Sequence, residues 1–378
     1  MVHPFVIHIR LTKDCNADCT YCSSANSVTN KFMSSEEVLQ SLAQFEKIWA
    51  HQSIQPTHIT IEYVGGEVSM LPFETLENII LSVRAWFNDK GIKAHDGIQS
   101  NLLCSRTKLE KIYRLFEGRI GTSVDNLSDK RRLKGSSHKY RTFFMKTEQH
   151  IQEEHYRTLP AVVAIDSDNY LQILDELEIA ESLGRSLVFR PVFQGGSVVD
   201  NVLDAEKLTS CYLSIFNKWF MRSRIIVNPF MTLLKRRLNV INGTDSASDS
   251  FCSWQSDCLK KSLCLEPNGD LYVCQELADH GFGKLGNAFS KEIDYRTIDE
   301  LNKRGQQIES QCSTCEYYKD CQGGCMMDSV QHGLGPMAKT PYCTAWKALF
   351  KSIDEAIIRD KSKAERWIKY LERRNNEQ

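Results

Sequence analysis

The chain has 378 residues, and 47 basic against 48 acidic side chains leave a formal net charge of −1. No global field therefore favours nucleic acid or a bare membrane. No apolar run is long enough to span a bilayer, and the N-terminus "MVHPFVIHIRL" lacks the basic, apolar and small-residue regions of a secretion signal.

A cytoplasmic setting keeps thiols reduced. Fourteen cysteines there point to metal ligation or redox chemistry rather than a disulfide framework. Strand-like runs are expected at 5–11, 58–64, 94–100, 119–124, 160–165 and 186–193. Helical patterns follow each. The first opens at Ser34, with Glu37 at capping-box spacing, and the others run near 73–89, 106–117, 137–157, 168–183 and 204–224. Six βα units in succession predict an α/β fold of parallel strands with helices outside. An open doubly wound sheet and a partial barrel both satisfy the pattern. In either, functional groups gather at the C-terminal ends of the strands.

The stretch "DCNADCTYC" lies immediately after the first strand and places Cys15, Cys19 and Cys22 within eight positions. A structural zinc site wants four closed ligands. Three close thiols without a fourth suit an iron–sulfur cubane with one iron left open for a ligand. Cys104 and Cys211 are expected as buried small hydrophobes. The Gly-, Ser- and Asp-rich stretch 239–250 reads as a linker. Nine cysteines follow it, between 252 and 343. Cys264, flanked by Leu263 and Leu265, is expected on a buried strand, and "PNGD" after it as a hairpin turn. In isolation the C-x2-C of Cys312 and Cys315, followed by the C-x3-C of Cys321 and Cys325, would pass as a zinc ribbon. Beyond residue 345 an amphipathic helix or two is expected to pack Leu349, Ile353 and Ile357 on the body.

The C-x3-C-x-aromatic-C loop resembles the signature of the radical S-adenosylmethionine superfamily, and shorter matches follow in order. "YVGGEV" resembles the family's GGEP, with Val68 in place of proline. The resemblance implies that Gly65 and Gly66 admit backbone to the methionine moiety and that Glu67 helps bind its amino group. "IQSN" resembles IQTN and implies Asn101 near the cofactor. "TSVD" resembles SLDG, with Asn126 in place of glycine, and implies Ser123 as a polar contact. "DKRR" resembles D-x-x-R and implies Arg132 at the methionine carboxylate, with Tyr21 beside the adenine. The second cysteine group resembles a SPASM domain. That resemblance implies two auxiliary four-iron clusters, one on Cys252, Cys258, Cys274 and Cys325, the other on Cys312, Cys315, Cys321 and Cys343.

The resemblance thus implies a partial (βα)6 barrel over 1–238, a SPASM domain over 239–345 and a helical tail over 346–378. It implies S-adenosylmethionine and three [4Fe-4S] clusters as cofactors, and an electron donor such as flavodoxin or ferredoxin. The expected substrate is a peptide or protein side chain, oxidised to a crosslink or a desaturated product. Cys15 comes too early for an N-terminal leader-binding domain, so a leader would bind a separate protein or the barrel and SPASM surface. Alternatives are a small-molecule radical dehydrogenase, a formylglycine-generating sulfatase maturase and a non-catalytic iron–sulfur electron carrier. Gln275 after Cys274 weighs against the sulfatase maturase, whose family places an Asp base there. An alternating strand would turn Glu276 the other way.

Overall fold

The computed structural model describes residues 4–24, 31–196, 202–244 and 252–376. Seven parallel strands alternate with helices: β1 (Pro4–Arg10), α1 (Ser35–His51), β2 (His58–Val64), α2 (Phe73–Asp89), β3 (Lys93–Gln99), α3 (Arg106–Leu115), β4 (Ile120–Val124), α4 (Ser137–His155), β5 (Ala161–Ile165), α5 (Ile173–Ser182), β6 (Leu187–Pro191), α6 (Ala205–Arg222), β7 (Val227–Asn228) and α7 (Phe230–Ile241). Their spatial order follows the chain from β1 to β7. An order that never reverses has no doubly wound switch point, so the partial barrel is the architecture adopted.

The strands alternate as expected. Phe5, Ile7 and Ile9 of β1 are fully buried, while His8 faces Glu62 of the neighbouring β2 at 3.4 Å. At α1 the Ser34 hydroxyl accepts from the Glu37 N–H, and the Glu37 carboxylate accepts from the Ser34 N–H, forming the capping box.

Three differences from expectation have local causes. β7 and α7 extend the barrel beyond six units, and α7 runs through the start of the stretch read as a linker; 245–251 lie outside the described residues. The two-residue β7 offers no period to read. Helix α5 begins at Ile173 rather than 168. Asp166 accepts from the N–H groups of Asp168 and Asn169 (2.9 and 3.0 Å), a side-chain turn that competes with helix initiation.

The cysteine-rich half continues with β8 (Ser262–Leu265), β9 (Asp270–Tyr272), α8 (Gln275–His280), β10 (Gly286–Asn287), β11 (Glu292–Ile293), α9 (Tyr295–Asn302), α10 (Arg304–Cys312), α11 (Tyr318–Cys321) and α12 (Met326–Gln331). β8 pairs in parallel with β1, extending the barrel sheet to eleven strands. The β8–β9 hairpin turns at "PNGD" as expected, with Gly269 at φ +85°. Cys264 sits fully buried on β8, and Cys211 is buried in α6. Cys104 is only half-buried.

Two helices, α13 (Cys343–Arg359) and α14 (Lys361–Asn376), end the chain. α13 packs on α6 and α7, burying Leu349, Ile353 and Ile357. Trp367 stacks on Trp219 with ring centroids 5.3 Å apart. Ile353→Ala should cost about 2–5 kcal/mol in denaturant unfolding, the usual range for such a truncation. A loss below about 0.5 kcal/mol, the usual surface effect, would show that α13 adds nothing to the fold.

Candidate active site

The three-cysteine loop leaves β1 and crosses the C-terminal ends of β2, β3 and β4. Backbone bonds hold it on both sides. Gly66 N–H donates to the Thr12 carbonyl (2.9 Å) and Glu67 N–H to that of Asp14 (2.7 Å). Opposite, Asp18 N–H donates to Arg132 O and Thr20 N–H to Lys130 O, both at 2.9 Å. The glycines answer to this crossing. A Cβ on Gly65 would lie 2.3 Å from the Thr12 carbonyl oxygen, and one on Gly66 2.1 Å from that of Asp14. The chain's own loop therefore already demands both glycines.

Glu67 has a comparable task. Its carboxylate is buried and accepts from the Ser69 N–H (2.9 Å), the Ser100 hydroxyl (2.7 Å) and the Asn101 N–H (2.6 Å). It thereby ties the end of β2 to that of β3. Asn101 in turn donates to Asn16 Oδ1 (2.8 Å) and lies 3.7 Å from the Cys15 sulfur. Glu67→Ala would leave three donors without their acceptor, each orphan costing about 1–3 kcal/mol. A clear drop in Tm is expected, together with loss of any cofactor turnover. An unchanged Tm would mean that solvent replaces the carboxylate freely.

The two adjacent arginines separate. Arg132 is half-buried, and its Nε donates to the Asp129 carbonyl (2.7 Å). Arg131 instead reaches toward the loop, donating to the Tyr21 hydroxyl (2.6 Å), the Tyr140 hydroxyl (2.5 Å) and the Ser123 carbonyl (2.9 Å). The Ser123 hydroxyl accepts from Gln99 (3.0 Å). Asn126 is held by Glu176, which accepts from its N–H (2.6 Å) and side-chain amide (2.7 Å). Arg131 and Tyr140 were missed in the sequence, because "DKRR" does not say which arginine turns inward and Tyr140 lies on the next helix.

Eight of the nine cysteines of the second half divide between two cavities. Cys252, Cys258, Cys274 and Cys325 line one, with Arg190 and Glu276. Cys312, Cys315, Cys321 and Cys343 line the other. Cys274 and Cys325 cap α8 and α12, and Cys343 opens α13. Among the described residues, no three His, Cys, Asp or Glu side chains converge as the ligands of a single metal ion do. Burial pushes the Cys15 thiol up to about 12, against the hydrogen bond from Ala17. Burial raises Cys22, Cys274 and Cys325 as well. These thiols are protonated without metal, and ligation releases the protons.

Residues 275 and 276 depart from the expected strand. Cys274 caps a helix, so Glu276 lies in its first turn, on the cavity lining, and forms an ion pair with Arg190 (2.6 Å). Burial opposes its ionisation, but Arg190 and then His8 outweigh burial and hold the carboxyl at about 2.

A curled parallel half-barrel carries a three-thiol loop over its strand ends and joins a region with two four-thiol cavities. Over nearly its whole length the chain resembles anaerobic sulfatase-maturating enzymes. It is 20% identical over 359 residues to the cysteine-type enzyme of Clostridium perfringens, covering 89% of this chain and 92% of that one. It is 22% identical over 326 residues to the serine-type enzyme of Klebsiella aerogenes, covering 82% and 76%. No family model matches. In structure it superposes on anSMEcpe with bound AdoMet and the Kp18Cys peptide at a TM-score of 0.70 and 18% identity, over 94% of this chain and 98% of that one. Streptococcus suis SuiB bound to its precursor peptide SuiA gives 0.56 and 14%, over 91% and 76%. These likenesses show the α/β fold of a partial barrel with a cysteine-rich C-terminal region.

Proposed function

We propose that this chain is a radical S-adenosylmethionine oxidoreductase that modifies a peptide or protein side chain. The observation that carries the reading is the grouping of eleven cysteines into one loop triad at the strand ends and two cavity quartets. The donor chemistry fits: thiolates are the usual ligands of four-iron clusters. Cys15, Cys19 and Cys22 would hold the cluster that binds S-adenosylmethionine, and the two quartets would hold one auxiliary cluster each. Bound together, reduced cluster and S-adenosylmethionine supply a 5′-deoxyadenosyl radical able to take hydrogen from an unactivated C–H bond.

The chain's part is placement and exclusion of water. Glu67 keeps the β2 and β3 ends in register under the cluster loop. With two oxygens and three bonds already accepted, it retains acceptor capacity for an ammonium. Asn101 and Ser123 offer polar contacts at the next two strand ends. Arg131, held against the loop by its bonds to Tyr21 and Tyr140, is better placed than Arg132 for the methionine carboxylate. The relatives' substrates support a peptide here: anSMEcpe is seen with Kp18Cys, and SuiB with SuiA.

The favoured product is a crosslinked or desaturated peptide, with electrons leaving through the auxiliary clusters. A reduced flavodoxin or ferredoxin in the cytoplasm is the proposed donor. Among the described residues no helix is long and apolar enough to cross a membrane. The test is anaerobic incubation of dithionite-reduced, iron-reconstituted protein with S-adenosylmethionine and candidate precursor peptides. The expected products are 5′-deoxyadenosine and a peptide lighter by one pair of hydrogens. Iron-loaded protein that leaves S-adenosylmethionine intact would overturn the reading.

A further inference from the structure

Among the described residues most buried arginines meet carboxylates. Arg10 pairs with Glu266 and Asp279, Arg185 with Glu148, and Arg237 with Asp320 and Asp354. Arg304 is different. It opens α10, whose last residue is Cys312, and it has no exposed surface. Among the described residues its guanidinium donates only to backbone carbonyls, those of Pro336, Ala338 (2.9 Å) and Gly324 (3.1 Å). Its Nε is buried with no acceptor among the described residues. The neighbouring Asp328 accepts from the Thr340 hydroxyl (3.0 Å) and makes no ion pair with it among those residues.

A buried cation without a counter-charge is costly, and native structures rarely keep one unless something compensates it. Burial draws the Arg304 pKa below the ordinary arginine value. Thiolates at Cys258 and Cys325, then Asp328 and a thiolate at Cys312, would act the other way once the cysteines ligate and lose their protons. Three of those four groups are cysteines, and they come from both quartets. Its carbonyl partner Gly324 lies between Gly323, on the lining of one cavity, and Cys325, on the lining of the other, so the cation sits beside the segment that the two cavities share.

We infer that Arg304 is the shared counter-cation of both auxiliary clusters and holds their reduction potentials up. This inference rests on the function proposed above. A cubane with four thiolates is a dianion when oxidised and a trianion when reduced. A fixed positive charge in a low-dielectric interior favours the more negative state. The step it assists is a one-electron transfer. The substrate radical is oxidised, the cluster is reduced, and the closed-shell product loses a proton. Arg304 is a positioning residue in this sense: it touches neither substrate nor the reacting C–H bond.

The test is an EPR-monitored potentiometric titration of anaerobically reconstituted wild type, Arg304→Gln and Arg304→Lys, with iron counted in each. Gln removes the charge and should shift both auxiliary signals to lower potential, leaving the loop-triad cluster where it was. Lys restores the charge without the three-carbonyl fork and should return both potentials most of the way. Unchanged auxiliary potentials in iron-replete Arg304→Gln would overturn the inference, as would a shift that Lys fails to reverse. Should the Gln variant not assemble its clusters, assembly at wild-type potential in Arg304→Lys supports the charge requirement. Failure of both would make Arg304 a carbonyl clamp and nothing more. Wild-type protein without auxiliary iron would remove the proposed function, and this inference with it.

Discussion

Anaerobically reconstituted protein is expected to hold about twelve irons, four in each of three cubanes. Replacing Cys15, Cys19 and Cys22 together by Ala should remove about four of them and abolish 5′-deoxyadenosine formation entirely. The loop's backbone bonds to Gly66, Glu67, Lys130 and Arg132 do not involve the thiols, so the fold should survive. Replacing Cys312 and Cys315 by Ala should also remove about four irons, from a cavity lined by other residues, while S-adenosylmethionine cleavage continues. The two losses are expected to be independent, because no cysteine serves both sets. Stoichiometric zinc with little iron in anaerobically purified protein would overturn all of this and make the second half a zinc-binding module.

The wild-type protein is expected to form no detectable formylglycine from a sulfatase-motif peptide. That reaction oxidises Cys or Ser and needs a base to take the side-chain proton. Gln275 is an amide and cannot supply one, and loss of a general base typically costs roughly 10²–10⁴ in rate. Glu276 is the carboxylate nearest in sequence, and helix α8 does bring it to the cavity beside Cys274. It is committed there to Arg190 at 2.6 Å, and a carboxyl held at about 2 is a weak base. Gln275→Asp alone should not install the activity, since substrate placement is a separate requirement. Formylglycine formed efficiently by the wild type, detected as an aldehyde-bearing peptide by mass spectrometry, would return the protein to the sulfatase-maturating reaction.

Much of this architecture is legible in the sequence. Strand β2 spans the expected 58–64 and helix α2 the expected 73–89. Both carry a clear apolar period bounded by turn or capping residues, and such signals are local. The Ser34–Glu37 capping box and the "PNGD" hairpin are local for the same reason. The division of eight cysteines between two sites was implied by resemblance, and each expected quartet lines one cavity.

Other features were not legible. Strand β7 is too short to show a period. Gln275 and Glu276 follow a cysteine that could end a strand or cap a helix, and only packing chooses between them. Gly65 and Gly66 look like glycines meant for a ligand. The structure adds a second demand, since Thr12 and Asp14 pass too close for any side chain.

The sequence by itself determined the alternation of strands and helices, the three-thiol loop at a strand end and the cysteine arithmetic. Each depends on residues a few positions apart, where backbone geometry maps spacing onto space. Tertiary structure alone decided that β8 closes onto β1, that Arg131 rather than Arg132 turns inward, and that Glu276 meets Arg190 across 86 residues. It alone placed Arg304 against the Gly323–Cys325 segment that lines both cavities. These contacts join segments far apart in the chain, and their partners are selected by burial and charge compensation in the packed interior, which no local period encodes.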